Sequence, residues 1–307
     1  MNLNENVNCS TESAVELKNV EKNFKNFKLD IPEMKIPRGF ATALIGENGA
    51  GKTTLMNIIA GIRRDYKGEL KYFGKYSDAD REKNPDVKLA IGYTGTDGYY
   101  MPYWNVGQVE KLTAMLFSNF DGKRYREICG ELAIFGGHSF DAGKKVNALS
   151  DGTKTKLMLA GVLARDTELL LLDEPASPLD PLMRDKLCEL IRDYLGSRDG
   201  RSVFFSTHNI SDMENVTDYA IIMEHGSVVE QGFIEDLKEK YILVKGENGD
   251  AAEAEKHLFS ITKGKYGFEG ICLAENLDRL AGLDIITETA SLFQISVAVM
   301  KRNSYIK

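Results

Sequence analysis

The 307-residue chain has no long apolar run. Its most strongly apolar stretch, residues 169–172, falls far short of the roughly 20 residues that cross a bilayer, so the chain is not expected to span one. The opening residues 1–12 are Asn-rich and polar and contain no apolar segment of the kind a secretory leader needs, which points to the cytoplasm. Cysteine is sparse: Cys9, Cys129, Cys188 and Cys272 form no close pair and no metal-ligand spacing with the four histidines, so ordinary reduced thiols are expected. Excess basic charge is missing too. Lys and Arg number 39 against 46 Asp and Glu, a net charge of −7, whereas binding a phosphate backbone relies on Lys/Arg neutralisation; no nucleic-acid partner is expected. No internal repeat, low-complexity tract or heptad insertion interrupts the chain.

What is there has the composition of a globular protein, with 43% hydrophobic and 28% charged residues. The length suits one large α/β domain plus a small appendage. Residues 15–29 alternate loosely and lead into a Pro-containing stretch, 31–37, which suggests β structure with turns. Phe40-Ala-Thr-Ala-Leu-Ile45 reads as a buried strand feeding a glycine-rich loop. A helix over residues 53–60 follows, with Gly61 placed to end it. Ile91-Gly-Tyr93 reads as a short strand, and residues 106–163 mainly as helices. Glu168-Leu-Leu-Leu-Leu-Asp173 has the pattern of a strand buried on both faces of a parallel sheet. Residues 181–195 read as an amphipathic helix with Leu182, Leu187, Leu190, Ile191 and Leu195 on its apolar side and Gly196 as its stop. Residues 203–205 and 220–223 supply two more buried strands. Beyond about residue 240, six glycines break the chain into short elements, suggesting a small α+β appendage. The expected class is α/β with a mainly parallel sheet, divided into a polar tail over 1–13, a main domain over 14–239 with a helical subdomain at about 97–163, and a C-terminal α+β domain over 240–307.

The chemistry begins at Gly46-Glu47-Asn48-Gly49-Ala50-Gly51-Lys52-Thr53, a G-x-x-x-x-G-K-[ST] phosphate loop in the strand–loop–helix context it requires. Its glycines let backbone N–H groups wrap phosphates, Lys52 reaches the β and γ oxygens, and the Thr53 hydroxyl can hold Mg2+. Alone, this motif defines only a P-loop NTPase. Asp173 and Glu174 close the apolar 169–172 strand; a functional reading has Asp173 assisting Mg2+ and Glu174 orienting or deprotonating the attacking water. An acidic pair after a strand is equally often structural.

The remaining landmarks make the chain resemble the ABC ATPase family. Leu149-Ser150-Asp151-Gly152-Thr153 resembles the family's signature loop, Ser177-Pro-Leu-Asp180 its D-loop and Ser206-Thr-His208 its switch histidine, while Phe24 occupies the place of the aromatic that stacks on adenine. The resemblance covers roughly residues 14–235. Within the family, Gly46-Glu-Asn-Gly-Ala-Gly, Pro181-Leu-Met-Arg-Asp-Lys-Leu, Ser206-Thr-His-Asn-Ile-Ser-Asp-Met and the trailing domain make the chain resemble ATP-binding subunits of ABC-2-type bacterial exporters. The family resemblance implies a P-loop fold of ABC type with a β subdomain and a helical subdomain, and hydrolysis of ATP with Mg2+. The nucleotide would be held by residues 46–54 including Thr54, and by Ser150 and the Gly152 backbone acting on a partner's site. Glu174 would be the base, His208 would contact the γ-phosphate and Asp180 would link the two sites. The implied partners are a second ABC ATPase domain, as homodimer or paralogue, and a separate integral membrane permease, with the chain peripheral on the inner membrane face.

Three departures stand out. Where the family has Gln between subdomains, this chain reads Gly95-Thr96-Asp97, so Thr96 or Asp97 would serve the metal or water there. Asp151 replaces the first signature glycine and would put a carboxylate near the opposite γ-phosphate. Pro178 replaces the D-loop glycine. The aromatic segment 99–104 either packs in the core or anchors the membrane subunit, with Trp104 or Tyr100 at the interface. The alternative functions are a nucleotide-binding regulatory subunit with weak or no hydrolysis, and a soluble ATPase of the same superfamily acting on nucleic acid or ribosomes.

Overall fold

The computed structural model describes residues 12–96 and 100–303. Most of the polar tail, together with Cys9, Asp97 and Tyr99, lies outside the described residues. In chain order the elements are β1 (Ser13–Asn23), β2 (Lys28–Pro37), β3 (Ala41–Ile45), α1 (Lys52–Ile59), β4 (Lys67–Tyr72), β5 (Tyr76–Ser77), α2 (Asp78–Lys83), α3 (Pro85–Leu89) and β6 (Ile91–Thr94). They continue as α4 (Val106–Leu116), α5 (Gly122–Glu131), α6 (Asp151–Leu163), β7 (Leu169–Leu172), α7 (Pro181–Gly196), β8 (Ser202–Thr207), β9 (Tyr219–Glu224), β10 (Ser227–Phe233) and α8 (Ile234–Lys240). The last are β11 (Tyr241–Gly246), α9 (Ala251–Ala254), β12 (Phe259–Lys263), β13 (Phe268–Leu273), β14 (Ile285–Thr289) and α10 (Leu292–Asn303).

The central sheet has the order β10-β9-β3-β8-β7-β6, parallel from β9 to β6, with β10 added antiparallel at one edge. Both faces are covered. Along β7 the four leucines alternate between two cores: Leu169 and Leu171 face α1 and the N-terminal sheet, and Leu170 and Leu172 face the helices. This two-sided burial explains why β3 and β7 read as unbroken apolar runs. It also lines up the carboxyl ends of β3, β7 and β8 along one edge, where open α/β sheets bind ligands.

A second sheet, β2-β1-β4-β5, is antiparallel. The Pro-containing stretch is β structure as expected but without the turns: β2 runs unbroken from Lys28 to Pro37, through Pro32. Proline is tolerated because β2 is an edge strand: the ladder pairs Lys18 with Glu33 and Val20 with Ile31, and Pro32 falls between them. Helix α1 ends where expected, Gly61 adopting φ +73° just past it. In α7 the apolar side holds Leu187, Leu190 and Ile191, all buried, but Leu182 in the first turn is 71% exposed and stands off that face.

The segment after Lys240 forms a third, antiparallel sheet, β12-β13-β11-β14. It does not hang free. Leu292, Ile295, Ala298 and Val299 of α10 are buried in the same core as the central-sheet residues Ala220 and Ile222, and the backbone N–H of Leu292 donates to Glu214 Oε1 at 3.0 Å.

Candidate functional site

The loop between β3 and α1 closes on itself through its own lysine. Lys52 Nζ is buried and donates to the carbonyls of Gly46 at 2.8 Å and Glu47 at 3.2 Å. Gly51 enters the helix at φ +103°, a conformation other residues disfavour, and a Cβ there would sit 2.8 Å from the Phe27 ring. No side chain caps the N-terminus of α1 and no acidic residue stands in its first turn. Its backbone N–H groups are therefore left for an anion, with the helix dipole in the same direction.

At the end of β7, Asp173 is buried. Its Oδ1 accepts a hydrogen bond from Ser206 Oγ at 2.5 Å, while Oδ2 is buried with no hydrogen-bond partner. A buried carboxylate oxygen without a partner is costly; Asp173 and Thr53 line the same cavity, and their oxygen donors fit a hard divalent cation. Glu174 follows at φ +50°, its N–H donating to Ser206 Oγ at 2.9 Å. Its carboxylate bridges two groups: Oε1 lies 3.4 Å from Lys52 Nζ and Oε2 lies 2.8 Å from His208 Nδ1. The residues brought together form an anion-binding loop, a buried cation, a carboxylate that can take a proton and a histidine in contact with it.

One cavity of about 970 Å3 unites most of the sequence-derived residues. Asn48, Gly49, Gly51, Lys52, Thr53 and Thr54 form its floor; Asp173, Glu174 and His208 stand on one side, with Thr96 nearby and Phe24 at the rim. Phe24 is 39% exposed, with Lys22 Nζ and the Arg63 guanidinium each 5.3 Å from its ring centroid. Gly46, Glu47 and Ala50 belong to the loop without lining the cavity. A Cβ on Gly46 would come within 2.5 Å of the Met223 carbonyl, and Ala50 is buried, its carbonyl accepting the Gly226 N–H at 3.1 Å. Asp97 is outside the described residues.

The signature helix reaches the same cavity, which Asp151 and Thr155 line together with Ser177 and Pro178. Ser150 caps α6, its Oγ accepting the Thr153 N–H at 3.3 Å, and Gly152 packs so tightly on the neighbouring loop that a Cβ would lie 2.8 Å from the Pro178 carbonyl. Asp151 is exposed and paired with Lys154 Nζ at 2.8 Å, a contact that lowers its carboxyl below the usual range. The pair is solvent-exposed and offsets only part of its charge. Asp180 caps α7 by accepting the Met183 N–H at 3.1 Å.

Sequence reasoning missed Lys25 and Asn26, which line the cavity beside Phe24 on the β1–β2 hairpin. It also passed over Ser206 as a group in its own right. The aromatic segment divides: Tyr100 and Trp104 pack against the core, while Met101 and Tyr103 are 47% and 68% exposed. Tyr100 and Trp104 are thus partly buried against the core, and the outward-facing pair is one position removed from each.

A phosphate loop, an acidic strand end and a histidine-terminated strand on one parallel sheet define a P-loop ATPase. Comparison with known proteins gives the family. The ABC transporter family model matches residues 29–177. An uncharacterised ABC transporter ATP-binding protein of Nostoc is 30% identical over 257 residues, covering 82% of this chain and 75% of that one. Among solved structures, cbiO1 of Clostridium perfringens, part of the ABC transporter complex cbiONQ, aligns with a TM-score of 0.59 at 25% identity over 74% of this chain and 90% of that one. A dimeric ATP-binding cassette in a post-hydrolysis state, bound to ADP and Pi, aligns with a TM-score of 0.58 at 22% identity, covering 72% and 98%. The chain belongs to the ABC transporter ATP-binding proteins. It is an ATP-binding, ATP-hydrolysing subunit of an ABC transporter.

Proposed function

We propose that this chain hydrolyses Mg-ATP at the cavity floored by residues 48–54, with Glu174 as general base, and that ATP binding closes two such subunits on each other to drive a separate membrane permease. The observation that carries the assignment is the Lys52–Glu174–His208 contact chain at the mouth of the phosphate loop. Lys52 would move from its own loop carbonyls onto the β and γ oxygens, and Glu174 would take the proton of the attacking water. His208 would contact the γ-phosphate once Glu174 turns toward water. Thr53 and Asp173 Oδ2 would hold Mg2+, whose positive charge offsets that of the phosphates when bound; Thr96 or Asp97 would complete its surroundings. The Phe24 face would stack on adenine. Ser150 and the Gly152 backbone would act on the opposite subunit's γ-phosphate, a reading supported by the dimeric form of the cassette cited above.

The exporter subtype, of ABC-2 type, is our finer reading. It is supported by the residues of the phosphate loop, by Pro181–Leu187 and Ser206–Met213, and by the C-terminal sheet. The subunit would then sit on the inner face of the membrane, residues 14–239 serving as the ATPase and 240–307 as an accessory domain. Met101 and Tyr103, both exposed in the aromatic segment, would contact the permease.

The test is the mass in solution of Glu174→Gln with and without Mg-ATP. A shift from monomer to dimer on adding Mg-ATP supports self-closure of both sites. A monomer that binds ATP without dimerising would sink the homodimer reading and point to a paralogous partner.

A further inference from the structure

Ser206 stands where β8 runs out past its last ladder partner on β7, the Leu172–Phe205 pair. It is fully buried, following two buried phenylalanines, Phe204 and Phe205, along the strand. A hydroxyl in such a place is unfavourable unless its donor and acceptor are both used. Here both are used on the two acidic residues. The O–H donates to Asp173 Oδ1 at 2.5 Å, and the oxygen accepts the Glu174 N–H at 2.9 Å.

Each bond has a consequence. Spending Oδ1 on Ser206 fixes the Asp173 carboxylate and leaves Oδ2 as its one oxygen without a partner. Holding the Glu174 amide pins a residue whose φ of +50° is disfavoured for a side chain bearing a Cβ. That strained backbone in turn aims the Glu174 carboxylate between Lys52 and His208.

We infer that Ser206 is a positioning residue for hydrolysis: one hydroxyl sets both the cation-facing oxygen of Asp173 and the reach of Glu174 toward water. The inference rests on the roles proposed above for Asp173 and Glu174. It predicts that the hydroxyl, not the volume, of residue 206 matters.

The experiment compares Ser206→Thr and Ser206→Val, which share a shape and differ in the hydroxyl, with Ser206→Ala as a third variant that adds no volume to the closed packing. Turnover and KM for ATP are measured alongside the affinity for ADP by calorimetry, in excess Mg2+ and in EDTA. The expected result is that Val and Ala lower kcat by about ten- to a hundredfold, the range for losing a hydrogen bond to a charged group, while KM changes less than about threefold. Their gain in ADP affinity from Mg2+ should shrink by about three- to tenfold with the EDTA affinity unchanged, and Thr should keep both properties. If Val matches Thr, or Ala matches the unsubstituted protein, in turnover and in Mg2+ dependence, Ser206 only fills space and the inference is wrong. Glu174→Gln is run in parallel. If it hydrolyses normally while Ser206→Ala does not, the assignment of Glu174 fails instead, and the two failures are told apart.

Discussion

Replacing Gly226 with Ala tests how the phosphate loop is held to the rest of the molecule. Gly226 forms the tip of the β9–β10 hairpin at φ +84°. Its N–H donates to the Ala50 carbonyl at 3.1 Å, inside the loop, and its carbonyl accepts the Asp30 N–H at 2.8 Å, on β2. A Cβ there would lie 2.0 Å from the Lys28 carbonyl oxygen, which is backbone and cannot swing aside. The positive φ costs about 1 kcal/mol. Relief of the clash requires the hairpin to back away, losing two hydrogen bonds at about 1 kcal/mol each. The expected destabilisation is about 3 kcal/mol, or a fall in Tm of about 6–12 °C for a domain of this size. The loosened loop should also raise KM for ATP by about fivefold, the equivalent of one hydrogen bond. Gly74→Ala is the control: its φ is +72° but the space around it is open, so it carries the strain term alone. Scanning calorimetry and steady-state kinetics on both variants decide the matter. If Gly226→Ala melts with Gly74→Ala and keeps the normal KM, the hairpin does not anchor the loop and the reasoning is refuted.

A second prediction concerns pH. Burial raises the Glu224 carboxyl above its usual range, with His225 opposing and Glu47 reinforcing the shift, and Glu224 Oε2 is buried without a hydrogen-bond partner. The folded state thus holds this proton more tightly than the unfolded one, so the group's contribution to stability is present at low pH and is lost as pH rises through the raised folded value. Glu224→Gln should raise Tm at pH 8 and leave it nearly unchanged near pH 3, below the ordinary carboxyl value of 4.5, where the carboxyl is protonated in both states; a Tm difference that grows toward acid would contradict this. At the surface, Tyr103→Ala should weaken co-purification of the membrane subunit from cells making both, whereas equal recovery would remove Tyr103 from that interface.

The site was more legible in the sequence than the frame that holds it. The phosphate loop depends on glycine and lysine at fixed spacing after an apolar run, and Gly46, Gly51 and Lys52 occupy the backbone roles that spacing requires. The acidic pair was legible only as a pattern, because whether Asp173 and Glu174 face solvent or a site depends on β8, more than 30 residues later. That same distance hid Ser206. Pro32 pointed toward a turn, and only its place on an edge strand lets β2 continue through it. Leu182 matched the helical period of α7, yet in the first turn it is Met183, next to it, that packs against the core. The return of α10 to the central sheet has no local signal, since an apolar helical stripe does not say which surface it covers. The Asp151–Lys154 pair was within reach: the two lie three apart on a helix, where opposite charges meet.

The most direct test is the rate of phosphate release from ATP by the unsubstituted protein and by Glu174→Gln, under saturating Mg-ATP. The account predicts steady turnover in the first and a fall of at least about a hundredfold in the second, as expected when a general base is removed, with ATP still bound. Turnover that survives in Glu174→Gln would contradict the central claim that this carboxylate, aimed between Lys52 and His208, activates the water.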